Sequence, residues 1–434
     1  MLDVFGPYLT KYKGEGKIFF NGKERFFHKF DCVQLPDGRI LWHGYTDTVQ
    51  EYDFDDIFSG KTNVDRLEGL CHDSTTLVSE GKLLMVKSNS SINNNSTDIN
   101  KLFIIPSLHV RYTKPQDHQP KNIRFYITNL NFMGNPSALE IDLPDIKFNI
   151  YRIENYNEII ENIESTRLCN VTSIIEINLD NLSVDDTIGI ANDICLLLSF
   201  ASGTFIQWIN YELISKTEEI LMKVHRNSIT TNYSQLRLID HRNPMDLKGF
   251  LESTYTKFQS LKLIYPLENS IRAIVNAKLD GSFIELRSLI LGSTTDVIVG
   301  HWATENNFQN LIEKGSFNKG LKDFKKGIEK LAIQVFNVNK AIGAKIANHA
   351  SGMYRRSFRN KLEEMISTLD ANITKKEISD FINSRNELTH RGKFCTSDPP
   401  NEFYSIVSFV DRLLLSLLGY QGPYLDCRTW ERVE

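Results

Sequence analysis

The chain has 434 residues, of which 41% are hydrophobic and 24% are charged, and its net charge at pH 7 is −4. This length and apolar content suffice for two or three domains with hydrophobic cores. The mean hydropathy is −0.28, and no apolar run reaches the roughly 18 residues that a membrane span needs. The N-terminus lacks the basic-then-apolar pattern of a secretion signal. The sequence therefore predicts a cytoplasmic protein without membrane contact.

The cysteines are scattered along the chain. There are six of them, and no two form a Cys-x-x-Cys pair. Neither a disulfide framework nor a zinc site is indicated by such spacing. We therefore expect no metal and no cofactor.

Residues 1–245 are predicted to form a β-rich mixed region, either as one domain or as two subdomains. Apolar and aromatic runs typical of strands occupy 17–35, 39–47, 102–112 and 122–132. A polar stretch without periodicity, 88–100, is interpreted as a surface loop.

One helix is predicted within this β-rich region, over residues 183–203. Ser183 is placed to cap its start, because a serine hydroxyl can accept a hydrogen bond from a free backbone amide of the first turn. Gly203 is placed to close it, because glycine adopts the left-handed conformation common at helix ends.

Residues 246–434 are predicted to form an all-α bundle. Helical periodicity with short connections indicates five or six helices, at 246–261, 282–302, 318–336, 357–369, 375–392 and 402–420. The segment 318–336 is amphipathic, and it places five apolar residues on one side, Leu321, Phe324, Ile328, Leu331 and Val335. The fold class is therefore α+β and multidomain, with a β-rich half followed by a helical bundle.

An arginine falls inside the apolar arc of the predicted helix 375–392. With Ile378 at 0°, a rotation of ~100° per residue places Phe381 at about −60° and Arg385 at about −20°. A guanidinium cannot lose its proton, so burying it requires an anion beside it. Either a carboxylate of the bundle, such as Glu285 or Asp296, or the phosphate of a ligand can supply that anion.

A basic segment precedes this helix. Residues 314–361 contain twelve basic and two acidic residues, a net charge of +10. A solvated helix face is one interpretation of such a segment. A surface for RNA phosphates is the other, and its candidate residues are Lys322, Lys325, Lys326, Arg355, Arg356 and Arg359.

Arg385 and His390 are separated by four residues, and Asn386 directly follows the arginine. This spacing alone is a weak signal, because about 1.4 Arg–His pairs with four to six intervening residues are expected by chance. The chain contains two others, Arg66 with His72 and Arg111 with His118. Only the pair at 385 and 390 occupies a helical pattern and follows a basic segment.

These residue types suit RNA cleavage by the neighbouring 2′-hydroxyl without a metal. Arg385 presents a planar fork that matches two phosphate oxygens. His390 can give a proton to the leaving oxygen, since histidine titrates near neutral pH. Asn386 lies one helical turn before His390 and can orient the ring or a phosphate oxygen. A two-fold dimer would bring two such sets together.

With these residues the C-terminal part resembles the HEPN family (higher eukaryotes and prokaryotes nucleotide-binding domain). The hallmark of that family is an arginine, four to six residues and a histidine, usually with a polar residue after the arginine. The likeness covers roughly residues 255–430 and includes KLDGSFIELRSLILG and FVDRLLLSLLGYQGPYLD. It implies a metal-independent endoribonuclease that forms a homodimer through the bundle, with Arg385 and His390 catalytic and Asn386 supporting. Relatives often carry a glutamate late in the early bundle helix, where this chain has Asp296.

The N-terminal half resembles the β-rich domains that precede HEPN in ApeA-type anti-phage proteins. The similar stretches are GKIFFNGKERFF, PDGRILWHG and LLLSFASGTFIQWINYE. This likeness implies a toxin of abortive infection that cuts cellular RNA, with tRNA as the expected target. The N-terminal half would then sense a phage-derived trigger.

Two other interpretations of the sequence remain open. In the first, the bundle is a non-catalytic HEPN module that binds nucleotide or protein and serves dimerisation and phage sensing. In the second, the aromatic residues of the N-terminal half bind a carbohydrate or a phage protein, and the bundle only dimerises.

Overall fold

The computed structural model describes residues 9–20, 23–46, 64–81, 83–93, 96–112, 119–133, 137–166, 169–227 and 236–434. Strands dominate these residues up to position 226 and helices dominate from position 244, as the fold class predicted. The described strands are β1 (Thr10–Phe20), β2 (Lys23–Gln34), β3 (Ile40–Thr46), β4 (Val64–Cys71), β5 (Thr76–Glu80), β6 (Leu84–Asn93), β7 (Ser96–Ile105), β8 (Ser107–Arg111), β9 (Pro120–Thr128), β10 (Ala138–Leu143), β11 (Ile146–Arg152), β12 (Val171–Asn178), β13 (Trp208–Ser215), β14 (Ile220–Arg226), β15 (Tyr424–Asp426) and β16 (Glu431–Val433).

The first fourteen strands form one sheet in the order β10-β11-β12-β9-β13-β14-β8-β5-β4-β1-β2-β3-β7-β6. Three strands separate β14 from β1 in this order, yet the Tyr12 hydroxyl lies 2.8 Å from His225 Nε2. Gln34 Nε2 likewise donates to the Ile209 carbonyl at 2.8 Å. The sheet therefore curls until β1 and β2 face β13 and β14. Burial lowers the pKa of His225 well below its usual value, so the ring is neutral in this contact.

The loop predicted at 88–100 is wrong. The described residues of this stretch belong to β6 and β7, which pair antiparallel with Asn89 opposite Asn100, while residues 94–95 lie outside the described chain. Main-chain hydrogen bonds make this pairing, and β7 also pairs with β3. A polar stretch can form strands even when apolar and polar residues do not alternate along it. The alternation indicates only which side chains are buried, whereas the pairing is made by the backbone.

The described helices are α1 (Tyr156–Thr166), α2 (Val184–Ser202), α3 (Pro244–Leu261), α4 (Leu267–Lys278), α5 (Ile284–Glu305), α6 (Lys314–Phe336), α7 (Lys340–His349), α8 (Phe358–Thr368), α9 (Lys375–Arg391) and α10 (Pro399–Leu417). The prediction for α2 is confirmed at both ends. Ser183 accepts from the Asp186 amide, and Gly203 is left-handed with φ 64°. No helix in the described residues is long and apolar enough to cross a membrane.

The region after residue 243 contains eight helices, so the expected five or six were too few. The sequence patterns did not indicate α4 or α7. One buried apolar cluster extends from Ile123 on β9 through α2 to Cys427. Phe200 and Phe250 lie on opposite sides of the predicted domain boundary near residue 245, and their rings are 6.3 Å apart. The position of that boundary stays a prediction.

Candidate functional site

Helix α9 carries the Arg–Asn–His set, and its two ends are fixed by local chemistry. Thr374 and Glu377 form a capping box at the start, in which each side chain accepts from the other residue's backbone amide. Gly392 ends the helix in the left-handed conformation, with φ 65°. Ile378, Phe381, Ile382, Ser384 and Leu388 are buried, so the apolar arc of α9 faces the bundle as the sequence indicated.

Arg385 is half-buried at the edge of this arc, and a protein carboxylate neutralises it. One terminal nitrogen pairs with Asp296 on α5, so of the two candidate acids Asp296 is the partner. The other terminal nitrogen donates to Asn386 Oδ1 at 3.0 Å. The guanidinium also lies over the Phe358 ring, 5.1 Å from its centre. These three contacts hold the arginine in one orientation.

The Arg385–Asp296 pair is not fully satisfied. Arg385 keeps 24% of its side-chain surface exposed and Asp296 keeps 35%. Arg385 Nε and Asp296 Oδ1 are buried without a hydrogen-bond partner in the structure. A guanidinium offers five N–H donors, so donors remain for an incoming anion.

Asn386 and His390 lie on the exposed flank of α9. Asn386 is half-buried and His390 is exposed. Five residues of helix place His390 roughly 7.5 Å along the axis and about 140° around it from Arg385.

Gly292 on α5 has no side chain, and the Arg385 side chain packs directly against this position. A Cβ at this position would lie 3.1 Å from Arg385 Cγ, which is closer than ordinary contact. We therefore expect Gly292→Ala to displace the guanidinium by a few tenths of an ångström. If Arg385 binds the phosphate that is cut, as the family resemblance implies, this displacement should lower RNA cleavage roughly 3- to 10-fold with an unchanged KM.

Gly300 provides the matched control for this variant. It lies on the same helix, and a Cβ there would meet nothing within 4 Å. Gly300→Ala should cleave RNA at the wild-type rate, because the added methyl group displaces no neighbour. Equal rates for the two variants would show that Gly292 does not position Arg385.

The predicted RNA-binding residues fall on two different parts of the chain. Lys322, Lys325 and Lys326 lie on α6, where Lys322 and Lys326 are exposed. Lys325 Nζ lies 3.4 Å from Asn348 Oδ1 of α7. The RNA-binding surface predicted from the sequence also included Arg355, Arg356 and Arg359. In the structure, α7 and a short 3₁₀ turn lie between these arginines and the lysines of α6.

Of the three arginines, Arg359 contacts α9. Arg355 is exposed, and Arg356 stacks over the Phe308 ring at 3.8 Å. Arg359 Nη1 donates to Ser379 Oγ on α9 at 3.2 Å, and it also approaches Glu363 on its own helix at 3.4 Å. Arg359 therefore links the start of α8 to the helix that carries Arg385.

Sequence reasoning missed a cavity of about 400 Å³ between α9 and α10. Arg412 and Arg428 both bind Glu377 beside it, at 2.5 and 3.0 Å. Burial opposes the charge of Glu377, but its hydrogen bonds from Arg412 and Thr374 lower its pKa to about 2. The lining includes none of Arg385, Asn386 and His390, because it uses the other side of α9.

Comparison of the chain with protein-family models, curated proteins and solved structures finds no match. Any function is therefore inferred from the residues themselves and from their geometry.

Proposed function

We propose that this chain is a metal-independent endoribonuclease of the HEPN type, which cuts RNA by attack of the 2′-hydroxyl on the adjacent phosphodiester. Arg385 binds the phosphate oxygens, and His390 moves the proton. Asn386 orients the guanidinium that it already contacts. The observation that carries this proposal is the half-exposed Arg385, held by Asp296, Asn386 and Phe358, on the same helix as an exposed histidine.

The reaction needs no group from outside the chain and the RNA. The 2′-hydroxyl gives its proton to the neutral imidazole of one His390, and its oxygen bonds to phosphorus while the bond to the 5′-oxygen of the next nucleotide breaks. The products are a 2′,3′-cyclic phosphate and a 5′-hydroxyl end. Developing negative charge on the phosphorane oxygens is stabilised by the guanidinium, and the leaving oxygen receives a proton from imidazolium.

Two protomers complete the site in this proposal. The geometry of α9 separates Arg385 from His390 along the axis and around it. A two-fold pair of α9 helices would place two guanidinium and two imidazole groups around one phosphodiester. The phosphate would then replace Asp296 as the partner of Arg385, or bind the donors that Asp296 leaves free.

The biological role that we propose is abortive infection in the cytoplasm, with tRNA as the target. In this role the N-terminal sheet would respond to a phage-derived trigger and restrain the bundle until infection. The support for this role is that a large sheet precedes the helices in the chain and could regulate them.

The chemistry is tested with a short labelled RNA in the presence of EDTA. We expect cleavage that leaves 2′,3′-cyclic phosphate ends and that stops when the 2′-hydroxyl before the cut is methylated. Cleavage that survives methylation, or that leaves 3′-hydroxyl and 5′-phosphate ends, would contradict the proposed mechanism.

The basic residues should set the salt dependence of RNA binding. Reversing the charge of Lys325, Lys326 and Arg355 removes up to three phosphate contacts. Each lost contact reduces the slope of log K against log salt by about 0.7 to 0.9, so weaker binding with a flatter slope is expected in a filter-binding titration. Unchanged affinity at every salt concentration would place the RNA path elsewhere.

A further inference from the structure

The cavity between α9 and α10 is large enough for a small molecule. Its volume of about 400 Å³ lies within the roughly 300–1,000 Å³ that ligand pockets occupy. On α10 the lining extends from Asn401 to Arg412, which corresponds to roughly 16 Å of helix. The residues of α9 that line the cavity share one side of that helix, and they are Glu377, Asp380, Phe381, Asn383 and Ser384. An elongated ligand can therefore lie along both helices.

The floor of this cavity is apolar. Phe381 of α9 and Phe409 of α10 stack in parallel, with their ring centres 4.2 Å apart and their planes at 8°. Ile406 lies one turn before Phe409, and each of the three residues keeps 3% or less of its surface exposed. Close packing fixes these side chains in the absence of any ligand. The cavity therefore offers a preformed apolar surface to the body of a ligand.

Carboxylates outnumber cations around this floor. The lining contains two arginines and four acidic residues, a net charge of −2, and the acidic residues are Glu377, Asp380, Asp398 and Glu402. Arg412 and Arg428 both bind Glu377 at one end of the cavity. The other three carboxylates form no ion pair with any residue that the structure describes. They leave the rest of the cavity negatively charged.

Glu402 is a buried anion without a cation beside it. It is 7% exposed, and its oxygens accept from the backbone amides of Cys395 and Thr396 at 3.1 and 2.8 Å. Burial opposes the charge, but hydrogen bonds from Ser384 and from these amides lower the pKa of Glu402, so the group is ionised at neutral pH. All of these donors are neutral, whereas buried charges in proteins are normally paired. A cation in the cavity would complete this pairing.

An anion and a metal ion both fit the cavity less well than an organic cation. An anion needs free arginine donors, but Arg412 and Arg428 already bind Glu377, and Arg428 also binds Asp426. A metal ion needs several carboxylate, imidazole or thiolate groups that converge on one point. Among the described residues no group of three converges in this way. The carboxylates of the lining are instead spread along the cavity, where a larger ligand can reach them.

We propose that this cavity binds a small organic amine, with its ammonium group among the carboxylates of Asp380, Asp398 and Glu402 and its apolar body on the stacked phenylalanines. A free amine fits better than the lysine side chain of another protein. The loop residues 395–398 bound one end of the cavity and Arg428 bounds the other, which leaves little room for a continuing peptide chain.

The test titrates the full chain with 2-phenylethylamine by isothermal calorimetry in phosphate buffer. The neutral analogue 2-phenylethanol has the same aromatic body and carries a hydroxyl in place of the ammonium group. We expect the amine to bind and the alcohol to bind on the order of 10-fold more weakly or worse, because a hydrogen bond to a charged group is stronger than one between neutral groups.

Two variants place the binding in this cavity. Asp380→Asn removes one carboxylate that has no partner among the described residues, and it should weaken amine binding on the order of 10-fold. Ser405→Leu fills the cavity from an exposed position of α10, where the hydroxyl bonds only to the Asn401 carbonyl of the same helix, and it should abolish binding. Asp323→Asn, at an exposed position of α6, is the matched control and should bind as wild type does. Thermal unfolding should be the same in all four proteins.

Four results would overturn the inference. They are no binding of the amine at about 10 mM, equal affinity for the amine and the alcohol, undiminished binding by Ser405→Leu, and equal weakening by Asp323→Asn and Asp380→Asn. The last of these would mean a general attraction of cations to an acidic chain. Tighter binding of the peptide acetyl-Gly-Lys-Gly-amide than of the amine would also overturn it, in favour of a protein segment.

This inference does not rest on the proposed function. The lining includes none of Arg385, Asn386 and His390, so amine binding and RNA cleavage are measured independently. Amine binding by a protein that cuts no RNA would sustain the inference and remove the nuclease. Cleavage by a protein that binds no amine would do the reverse.

Discussion

His390→Ala should abolish RNA cleavage while leaving the fold intact. The exposed ring makes no contact that the bundle core depends on, so its removal should not change thermal unfolding. Loss of a general acid lowers the rate on the order of 100- to 10,000-fold. Cleavage by purified protein on labelled RNA, with EDTA present, measures this effect.

The neighbouring Arg391→Ala serves as the control for His390→Ala. Arg391 is exposed in the same turn, and its partner is Glu387 on the same helix at 3.1 Å. This variant should cut RNA at nearly the wild-type rate. A His390→Ala protein that cuts as fast as Arg391→Ala would remove His390 from the mechanism.

Arg385→Lys should lower kcat by roughly 100-fold or more, although the charge is kept. A lysine ammonium is a point charge that cannot bind two phosphate oxygens in parallel or contact Asp296 and Asn386 in the arginine's planar geometry. It can still pair with Asp296, so the carboxylate is not left without a cation and the free energy of unfolding should change little. Single-turnover kinetics measures kcat, and urea denaturation measures stability.

Asp296→Asn separates the catalytic role of Arg385 from its structural pairing. In that variant the guanidinium loses its ionised partner but keeps Asn386 and Phe358. Cleavage that persists in Asp296→Asn and is lost in Arg385→Lys assigns the function to the arginine. Equal and complete loss in both, together with lowered stability, would mean that the ion pair is only structural.

The orientation of α9 could be predicted from the sequence, because helical periodicity alone fixes which residues share a face. Ile378 and Phe381 are buried as the angles indicated, and Arg385 lies at their edge. The identity of its anion could not be predicted. Asp296 and Glu285 are both on α5, and only the packing of α5 against α9 decides which of them reaches the guanidinium.

Helix α6 shows a second limit of sequence patterns. The apolar side of α6 was predicted from periodicity, and the helix is present. Periodicity does not tell whether the same chain or another one covers the apolar side. Phe324, Leu331 and Val335 are exposed, and that exposure became evident only with the fold.

The loop predicted at 88–100 failed for the opposite reason. Its polar residues give no burial signal, and backbone pairing alone places its described residues in β6 and β7. The cavity between α9 and α10 was also invisible in the sequence, because its lining residues come from separate segments that meet only in the bundle.

The central claim is that Arg385 and His390 of two protomers together cleave a phosphodiester. Total RNA incubated with purified wild type or His390→Ala, followed by sequencing of the cut ends, tests it most directly. We expect discrete new ends carrying 2′,3′-cyclic phosphates with wild type, with EDTA present, and none with the variant. Identical ends from both proteins, or no ends from either dimeric protein, would contradict the claim.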